Sequence, residues 1–244
     1  LNGVELLQFN NNGAPPQIVL ISGGTAGAPV NVSGMFLGGT SPLTSMTGVS
    51  DFLTINQTFG NRQIDLGAGT ADTVNLGASG FYNLNLAGVD FVNGSSGDDF
   101  VTLTNQANGL TVDLGTGNNN LTLANGINVL SVLNGAQVNS SDGGPNPASN
   151  DTLTFLSNVS GVSVSLGNGT NTLNLAGGTN ELGMVNFSGT INGTSGVDTL
   201  SINSNLFNNN GAIAIDLGGG TDTLNLNISN ASFNAIGIEQ INGS

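Results

Sequence analysis

Aliphatic residues alternate with small polar residues in eight short phrases, and this alternation predicts β-strands. Each phrase begins with Asp or Asn, and its third and fifth residues are aliphatic or Phe. The phrases are DFLTI (51–55), DTVNL (72–76), DFVTL (99–103), NNLTL (119–123), DTLTF (151–155), NTLNL (171–175), DTLSI (198–202) and DTLNL (222–226). A period of two puts the third and fifth residues on one face of a strand, which we expect to be buried. No stretch keeps the 3.6-residue period of a helix, and frequent Gly and Asn disfavour one.

The spacing of the phrases predicts a repeat. Their first residues stand at positions 51, 72, 99, 119, 151, 171, 198 and 222, so shorter and longer intervals alternate for most of the chain. The phrases come in pairs, and the second of each pair follows an aliphatic-x-Leu-Gly segment. These segments recur at nearly constant intervals, at Gly67, Gly115, Gly167 and Gly218. We therefore expect a larger unit of about 50 residues that contains two turns of the chain.

The fold class predicted from this repeat is an all-β solenoid, either a parallel β-helix or a β-roll-like fold. Strands of five residues are too short to bury a core alone, but strands at regular spacing can stack on one another. We expect about ten coils of 20–32 residues. Residues 1–45 hold four of the six prolines and are expected to form irregular first coils. Residues 46–244 are expected to form one continuous domain, and the match of IEQINGS (238–244) to TINGTSG (190–196) suggests a longer repeat protein.

The composition excludes several classes of function. The chain has 15 acidic residues, one basic residue (Arg62), no His and no Cys, and its formal net charge is −14. Binding to nucleic acid requires clustered Lys and Arg, and binding to an anionic membrane surface requires the same. Without His, Cys or Lys, the usual nucleophiles and general bases are missing, so we expect a non-enzymatic protein. No apolar run reaches the roughly 18 residues that a membrane-spanning helix needs.

Several Gly-rich segments resemble the RTX (repeats-in-toxin) family of hemolysin-type calcium-binding repeats. GSSGDDFVT (94–102) and GTSGVDTLS (193–201) match its pattern except at the second Gly, and LGGGTDTLN (217–225) lacks the first Gly. The resemblance covers about residues 46–244. It implies a secreted bacterial surface or adhesin protein with calcium between successive turns. The chain departs from the family pattern because its motifs are separated by intervening segments rather than repeated in tandem.

The Asp/Asn column at the start of the phrases is the candidate site. Stacked coils are expected to bring these residues to one edge, where neighbouring carboxylates repel unless a cation or hydrogen-bond donors intervene. The candidate calcium ligands are Asp72, Asp98, Asp99, Asp151, Asp198 and Asp222. The Asp98/Asp99 corner is the strongest place because two carboxylates meet a full GxxGxD motif. The alternative is that Asp and Asn cap the turns by accepting backbone N–H bonds.

Two outward-facing sets complete the candidate residues. Asp65, Asp113 and Asp216 alternate with aliphatic residues and are expected to form a solvated acidic face. The outward ladder comprises Thr54, Asn75, Thr102, Thr122, Thr154, Asn174, Ser201 and Asn225. A flat array of this kind could bind ice, glycan or a second copy, and the alternative is ordinary β-propensity on a solvent face. Phe52 and Phe100 lie next to this ladder and suggest a contact surface or a covering loop.

The function expected from these observations is structural. The chain is predicted to form a stiff acidic rod in a surface layer, an extracellular fibre or an adhesin stalk. Its expected partners are copies of itself or further repeats, joined end to end. A binding module for polysaccharide or ice is the alternative. The resemblance implies an extracellular location at the cell surface, and calcium is the one cofactor expected.

Overall fold

The computed structural model describes residues 7–8, 19–21, 30–32, 43–45, 50–55, 61–77, 80–134, 137–140, 149–167, 169–184, 187–203, 213–228 and 233–243. These residues form 24 strands and no helix, so nothing among them is a helix able to cross a membrane. The strands form parallel sheets that wind as a β-solenoid, which confirms the predicted all-β fold class. Most of the predicted irregular first coils (1–45) lie outside the described residues.

The first compact unit comprises Leu1–Asn105 and Leu110–Asn119. Its even sheet has the order β2-β4-β6-β8-β10, with β1 antiparallel to β2, and its odd sheet has the order β3-β5-β7-β9-β11. Every pair other than β1–β2 is parallel. The strands are β1 (Leu7–Gln8), β2 (Val19–Ile21), β3 (Val30–Val32), β4 (Leu43–Ser45), β5 (Phe52–Ile55), β6 (Arg62–Asp65), β7 (Thr73–Leu76), β8 (Tyr82–Ala87), β9 (Phe91–Asn93), β10 (Asp99–Leu103) and β11 (Asn108–Asp113).

The second compact unit comprises Gln106–Gly109 and Asn120–Ser244. Its even sheet runs from β12 to β24 and its odd sheet from β13 to β23, all in parallel. The strands are β12 (Asn120–Leu123), β13 (Val129–Leu133), β14 (Gln137–Ser140), β15 (Thr152–Phe155), β16 (Val162–Ser165), β17 (Asn171–Asn174), β18 (Gly178–Met184), β19 (Gly189–Thr194), β20 (Asp198–Ile202), β21 (Ile213–Gly218), β22 (Thr223–Leu226), β23 (Asn234–Ile236) and β24 (Gln240–Gly243).

One turn of the solenoid contributes one strand to each sheet, and the longest predicted coils do not exist as single turns. Register partners in adjacent turns of the even sheet include Asn225 and Asn242, which are 17 residues apart, and Ser201 and Asn225, which are 24 residues apart. The interval from Asp72 to Asp99 covers three strands, β7 to β9, and is one and a half turns. The interval from Asn119 to Asp151 likewise covers β12 to β14. Register partners one turn apart are separated by 17 to 26 residues, so both ends of the expected range of 20–32 residues were wrong.

The predicted alternation of inward and outward residues is confirmed. Of the 16 aliphatic or Phe positions in the phrases, 15 are buried, and Leu226 is half-buried. The polar residues between them, such as Thr54, Asn75 and Thr154, are half-buried on the outer faces. Burying apolar surface along two inner faces, at about 25 cal/mol per Å², supplies the main driving force for stacking the turns.

The repeat of about 50 residues contains two and a half turns, not two. In the first unit the Leu-Gly segment follows β6 of the even sheet at Gly67 and β11 of the odd sheet at Gly115. In the second unit it follows β16 of the even sheet at Gly167 and ends β21 of the odd sheet at Gly218. Both intervals cover five strands. Because five is odd, equivalent positions of consecutive repeats fall on opposite sheets.

Candidate functional site

The candidate calcium ligands lie where strands begin, and they divide between the two sheets of each unit. In the first unit Asp72 precedes β7 of the odd sheet, whereas Asp99 opens β10 of the even sheet. In the second unit Asp151 precedes β15 of the odd sheet, whereas Asp198 opens β20 and Asp222 precedes β22 of the even sheet. The prediction of one Asp/Asn column at one edge was therefore wrong. An interval of one and a half turns carries the next phrase to the other sheet.

On the odd sheets these residues form a ladder that joins each turn to the next. The backbone N–H of Asp51 donates to Oδ1 of Asp72 at 2.8 Å, and the N–H of Asp72 donates to Oδ2 of Asp90 at 2.8 Å. In the second unit the N–H of Asp151 donates to Oδ1 of Asn171 at 2.9 Å. The N–H of Asn128 likewise donates to Asp151 at 2.9 Å. The side chain thus accepts an N–H that points along the stack just before the strand begins.

The even sheets carry a second ladder of the same kind. The N–H of Asp99 donates to Oδ1 of Asn119 at 2.9 Å in the first unit. In the second unit the N–H of Asp198 donates to Oδ1 of Asp222 at 2.8 Å, and the N–H of Asp222 donates to Oε2 of Glu239 at 2.7 Å. Four of these five side chains are almost fully buried, and Glu239 is exposed. The ladders satisfy backbone donors that burial would otherwise leave unpaired, at a cost of about 1–3 kcal/mol each.

Several members of the ladders lie outside the eight phrases and were not predicted. Asp90, Asn128, Asn180 and Glu239 each accept a backbone N–H from the preceding turn, and Asn180 does so from Val159 at 3.2 Å. The signal was present in the chain. NVLSV (128–132) fits the phrase at every position, and DFVN (90–93) fits it for four residues.

At seven of the ladder positions the choice between Asp and Asn follows the backbone of the loop before the residue. Where the loop presents N–H groups the residue is Asp: Asp198 Oδ2 accepts from the N–H of Thr194 at 2.7 Å and from its hydroxyl at 2.9 Å. Where the loop presents carbonyls the residue is Asn: Asn119 Nδ2 donates to the carbonyls of Leu114 at 3.1 Å and Gly115 at 3.2 Å. A carboxylate accepts hydrogen bonds and an amide also donates them.

Asp222 departs from this rule. It follows a Leu-Gly segment, as Asn119 and Asn171 do, yet it carries a carboxylate. Its Oδ1 accepts the Asp198 N–H, while its Oδ2 is buried without a hydrogen-bond partner. At the equivalent place Asn171 donates to the carbonyl of Gly167 at 3.4 Å. Because residue 222 follows Gly218 by four positions, as Asn171 follows Gly167, we expect an amide there to reach the carbonyl of Gly218.

The Gly-rich corners are packed directly on the adjacent turn. At Gly117, whose φ is +118°, a Cβ would lie 2.4 Å from the carbonyl oxygen of Gly97. At Gly220, whose φ is +148°, a Cβ would lie 2.3 Å from the carbonyl oxygen of Gly196. Any side chain would force the turns apart, and the positive φ favours Gly independently. The RTX-like Gly spacing is thus accounted for by close backbone contact between turns.

Burial raises the pKa of two ladder carboxyls. The pKa of Asp72 lies above its usual value, mainly through burial, although the N–H bonds from Asp51 and Gly69 oppose the rise and the nearby Asp51 and Asp90 charges add to it. The pKa of Asp99 is also raised, mainly by burial, while hydrogen bonds from Ser95 lower it and the Asp98 charge raises it. Burial disfavours the charged form of a carboxyl. Both sites therefore take up a proton more readily in the folded chain.

The Asp98/Asp99 corner is hydrogen-bonded to the backbone. Asp99 Oδ2 accepts the N–H of Ser95 at 2.8 Å, and Asp98 Oδ1 accepts the N–H of Asn118 on the next turn at 2.8 Å. Among the described residues, no group of three or more acidic, His or Cys side chains is arranged to hold a metal ion. Calcium takes six to eight oxygen ligands. Calcium binding stays a prediction, and it would require these carboxylates to exchange N–H donors for a cation.

The outer acidic residues stabilise the corners locally. Asp65, Asp113 and Asp216 each accept the N–H of the Gly two residues later, at 3.0, 2.9 and 3.0 Å. Those glycines have φ values between +71° and +89°. The acidic side chains are half-buried and act as turn caps, in addition to the solubilising role expected of them.

The predicted outward Thr/Asn ladder is divided between the sheets as well. Thr54, Asn75, Thr154 and Asn174 lie on odd sheets, and Thr102, Thr122, Ser201 and Asn225 lie on even sheets. Its three Asn side chains each accept a hydrogen bond from an Asn of the next turn that was not part of the prediction. Asn93 donates to Asn75 at 2.7 Å, Asn192 to Asn174 at 2.9 Å, and Asn242 to Asn225 at 2.8 Å. Much of the hydrogen-bonding capacity of this face is therefore used within the chain.

Exposed aromatic rings mark one region of the first unit. Phe81 is 51% exposed and Phe100 is 38% exposed, and their ring centroids are 5.1 Å apart at 41°. Phe52, which was predicted to lie next to the outward ladder together with Phe100, is half-buried on the odd sheet. The aromatic pair is thus Phe81 with Phe100.

Comparisons with protein-family models, with curated proteins and with solved structures give no match. The resemblance to RTX repeats therefore stays a prediction from the sequence.

Proposed function

We propose that this chain is a non-enzymatic, extracellular structural repeat protein, a stiff acidic solenoid segment of a surface layer, a fibre or an adhesin stalk. The observation that carries this proposal is the pair of buried Asp/Asn ladders. They add side-chain hydrogen bonds between turns to the two parallel sheets, as between Asp51 and Asp72 and between Asp198 and Asp222. A solenoid whose turns are joined in this way resists local opening, because each opening exposes several buried polar groups at once.

The charge distribution supports a role without nucleic acid or anionic partners. The single basic residue, Arg62, is 5% exposed, and burial lowers the pKa of its guanidinium. Its charge is therefore not displayed for phosphate binding. The net charge of −14 makes separate copies repel at low ionic strength, where the Debye length is about 30 Å at 0.01 M. Association with other copies should strengthen as salt or calcium is added.

The experiment that tests the structural role combines analytical ultracentrifugation with electron microscopy of the purified chain. We expect higher-order species or filaments at raised salt or calcium and dispersed particles at low salt. A strictly monomeric particle in every condition would remove self-assembly from the proposal. Limited proteolysis under the same conditions should not cleave within the strands of residues 50–243.

A second candidate function is a binding module for neutral polysaccharide, and the exposed Phe81/Phe100 pair favours it. Aromatic rings stack on sugar faces, and the acidic chain would repel anionic glycans. Replacing Phe100 by Ala should abolish retention on a neutral glycan matrix if this function holds. If the unmodified chain is not retained on the glycan matrix, the binding-module function is eliminated. No side-chain arrangement among the described residues favours ice over glycan.

A further inference from the structure

The outer face of the odd sheet in the first unit carries an aromatic strip, which we define as Phe52, Thr73 and Phe91. These residues open β5, β7 and β9 and are register partners on consecutive turns. Phe91 is 41% exposed and Phe52 is half-buried. Because Thr73 lies between the two phenylalanines, their rings stand two turns apart on one face of the solenoid.

The two phenylalanines account for the burial of the threonine between them. Thr73 is only 7% exposed, although it belongs to an outward column. In the second unit Thr172 occupies the same kind of position between Thr152 and Thr190, and it is half-buried. Larger partners on both sides explain the difference. The strip is therefore an apolar surface that extends over three turns.

The residues beside the strip are uncharged and carry amide groups. The second outward column of the same three strands consists of Thr54, Asn75 and Asn93. The Asn93 side chain donates to Asn75 at 2.7 Å, which fixes the orientation of both amides. This bond leaves the NH₂ of Asn75 and the amide oxygen of Asn93 to meet ligand hydroxyl groups. In a chain of net charge −14, such a face suits a neutral, hydroxyl-rich partner.

The separation of the rings selects among neutral polysaccharides. Neighbouring strands lie about 4.8 Å apart, so rings two turns apart are about 9.6 Å apart along the stack. In an extended β-1,4-linked hexose chain each sugar is turned over relative to the one before it. Every second sugar therefore presents the same face, at a repeat close to this separation. An α-1,4-linked chain coils and does not keep its sugars in line.

We infer that the aromatic strip binds one extended, neutral β-1,4-linked polysaccharide chain that runs along the stack of turns. Phe52 and Phe91 stack on alternate sugars, and the Asn75 and Asn93 amides bond to sugar hydroxyls. This site goes beyond the structural role. It is also a separate surface from the Phe81/Phe100 pair, because Phe100 lies on the even sheet.

Isothermal titration calorimetry of the full chain with cellohexaose and chitohexaose tests the inference, with maltohexaose as the α-linked control. We expect at least one β-1,4-linked hexamer to bind and maltohexaose not to bind. The disaccharide of the hexamer that binds reaches only one ring, so it should bind at least about tenfold more weakly. Absence of binding by both β-1,4-linked hexamers, or equal binding of maltohexaose, would overturn the inference.

Phe91→Ala should weaken hexamer binding at least about tenfold, because one of the two stacking contacts is lost. If this variant lowers the melting temperature, Phe91→Leu keeps an apolar side chain without the ring and should weaken binding similarly, whereas Phe91→Tyr should retain it. The matched control is Val129→Ala, at an outward residue of 39% exposure that opens an odd strand of the second unit. Binding that is unchanged in Phe91→Ala and Phe91→Leu would refute the site.

Phe100→Ala separates failure of this inference from failure of the binding-module function. Weaker binding in Phe91→Ala supports the strip, whatever the effect of Phe100→Ala. Weaker binding in Phe100→Ala alone would overturn the strip and assign the ligand to the Phe81/Phe100 pair. If the unmodified chain binds no glycan, both surfaces are eliminated and the structural role is unaffected.

Discussion

Replacement of Asp222 by Asn should stabilise the fold, although it removes a charge from a predicted calcium ligand. The buried Oδ2 of Asp222 lacks a hydrogen-bond partner, whereas Oδ1 accepts the N–H of Asp198. An amide would keep the Oδ1 bond and direct its NH₂ towards the Leu-Gly carbonyls, as Asn119 does. Relief of one unsatisfied buried polar atom is worth about 1–3 kcal/mol, so we expect a gain of about 1–2 kcal/mol in the free energy of unfolding.

The matched control is Asp198→Asn, one turn away in the same ladder. Asp198 accepts three hydrogen bonds, from the N–H of Gly178 at 2.9 Å and from the N–H and hydroxyl of Thr194. An amide would turn an NH₂ group towards the N–H of Thr194, so this substitution should cost about 2–3 kcal/mol. The same chemical change at two adjacent aspartates should therefore have opposite signs.

Urea unfolding followed by circular dichroism, in EDTA, measures both effects. A loss of stability in Asp222→Asn equal to that in Asp198→Asn would refute the loop-backbone explanation for the choice between Asp and Asn. Repeating the urea titrations in calcium tests whether Asp222 serves as a calcium ligand. If Asp222 binds calcium, the unmodified chain gains stability on calcium addition and Asp222→Asn does not.

Three further outcomes are expected. Asn119→Ala should cost about 2–4 kcal/mol because it strips the Asp99 N–H and two loop carbonyls of their partner, whereas the exposed Asn118→Ala should change urea stability by less than about 0.5 kcal/mol. The free energy of unfolding should rise as pH falls from 7 towards 4. Because the pKa values of Asp72 and Asp99 are raised in the folded chain, the folded chain holds these two protons more tightly than the unfolded chain does. The contribution of the two carboxyls to stability is therefore full below the usual pKa of 3.8 and is lost as pH rises through the folded pKa. Thermal unfolding at several pH values checks this prediction. A stability that falls on acidification would contradict it. If the Asp98/Asp99 corner binds calcium, EDTA should lower the melting temperature and Asp99→Asn should abolish that effect; an EDTA-independent melting curve would leave turn-capping as its role.

The strands and the core were predictable from the sequence because the two-residue period is local. Leu53 and Leu153 are buried where the alternation places them. The sheet to which each phrase belongs was not predictable. The interval from Asp99 to Asn119 is one turn, whereas the interval from Asp72 to Asp99 is one and a half turns. The strands that lie between phrases, such as β8 and β13, carry weaker or overlooked versions of the pattern.

The chemistry of the candidate site was predictable only in part. The strand-start positions of Asp72, Asp99 and Asp198 follow from the phrase, and all three are buried acceptors of backbone N–H bonds. The choice between Asp and Asn depends on whether the preceding loop turns N–H groups or carbonyls towards the side chain. That orientation is set by corner geometry and by glycine contacts with the next turn, which a linear pattern does not encode.

The repeat unit of two and a half turns limits how such a chain can change its length in evolution. Gain or loss of one repeat unit by recombination would shift every later strand to the opposite sheet, because the unit contains five strands. The inner faces would still pack, since both sheets bury the same alternation. The outer faces would be exchanged, so a partner that recognises one face would meet the other from that point onward. Duplication of two units together adds five whole turns, so every later strand stays on its original sheet and the same outer face is presented.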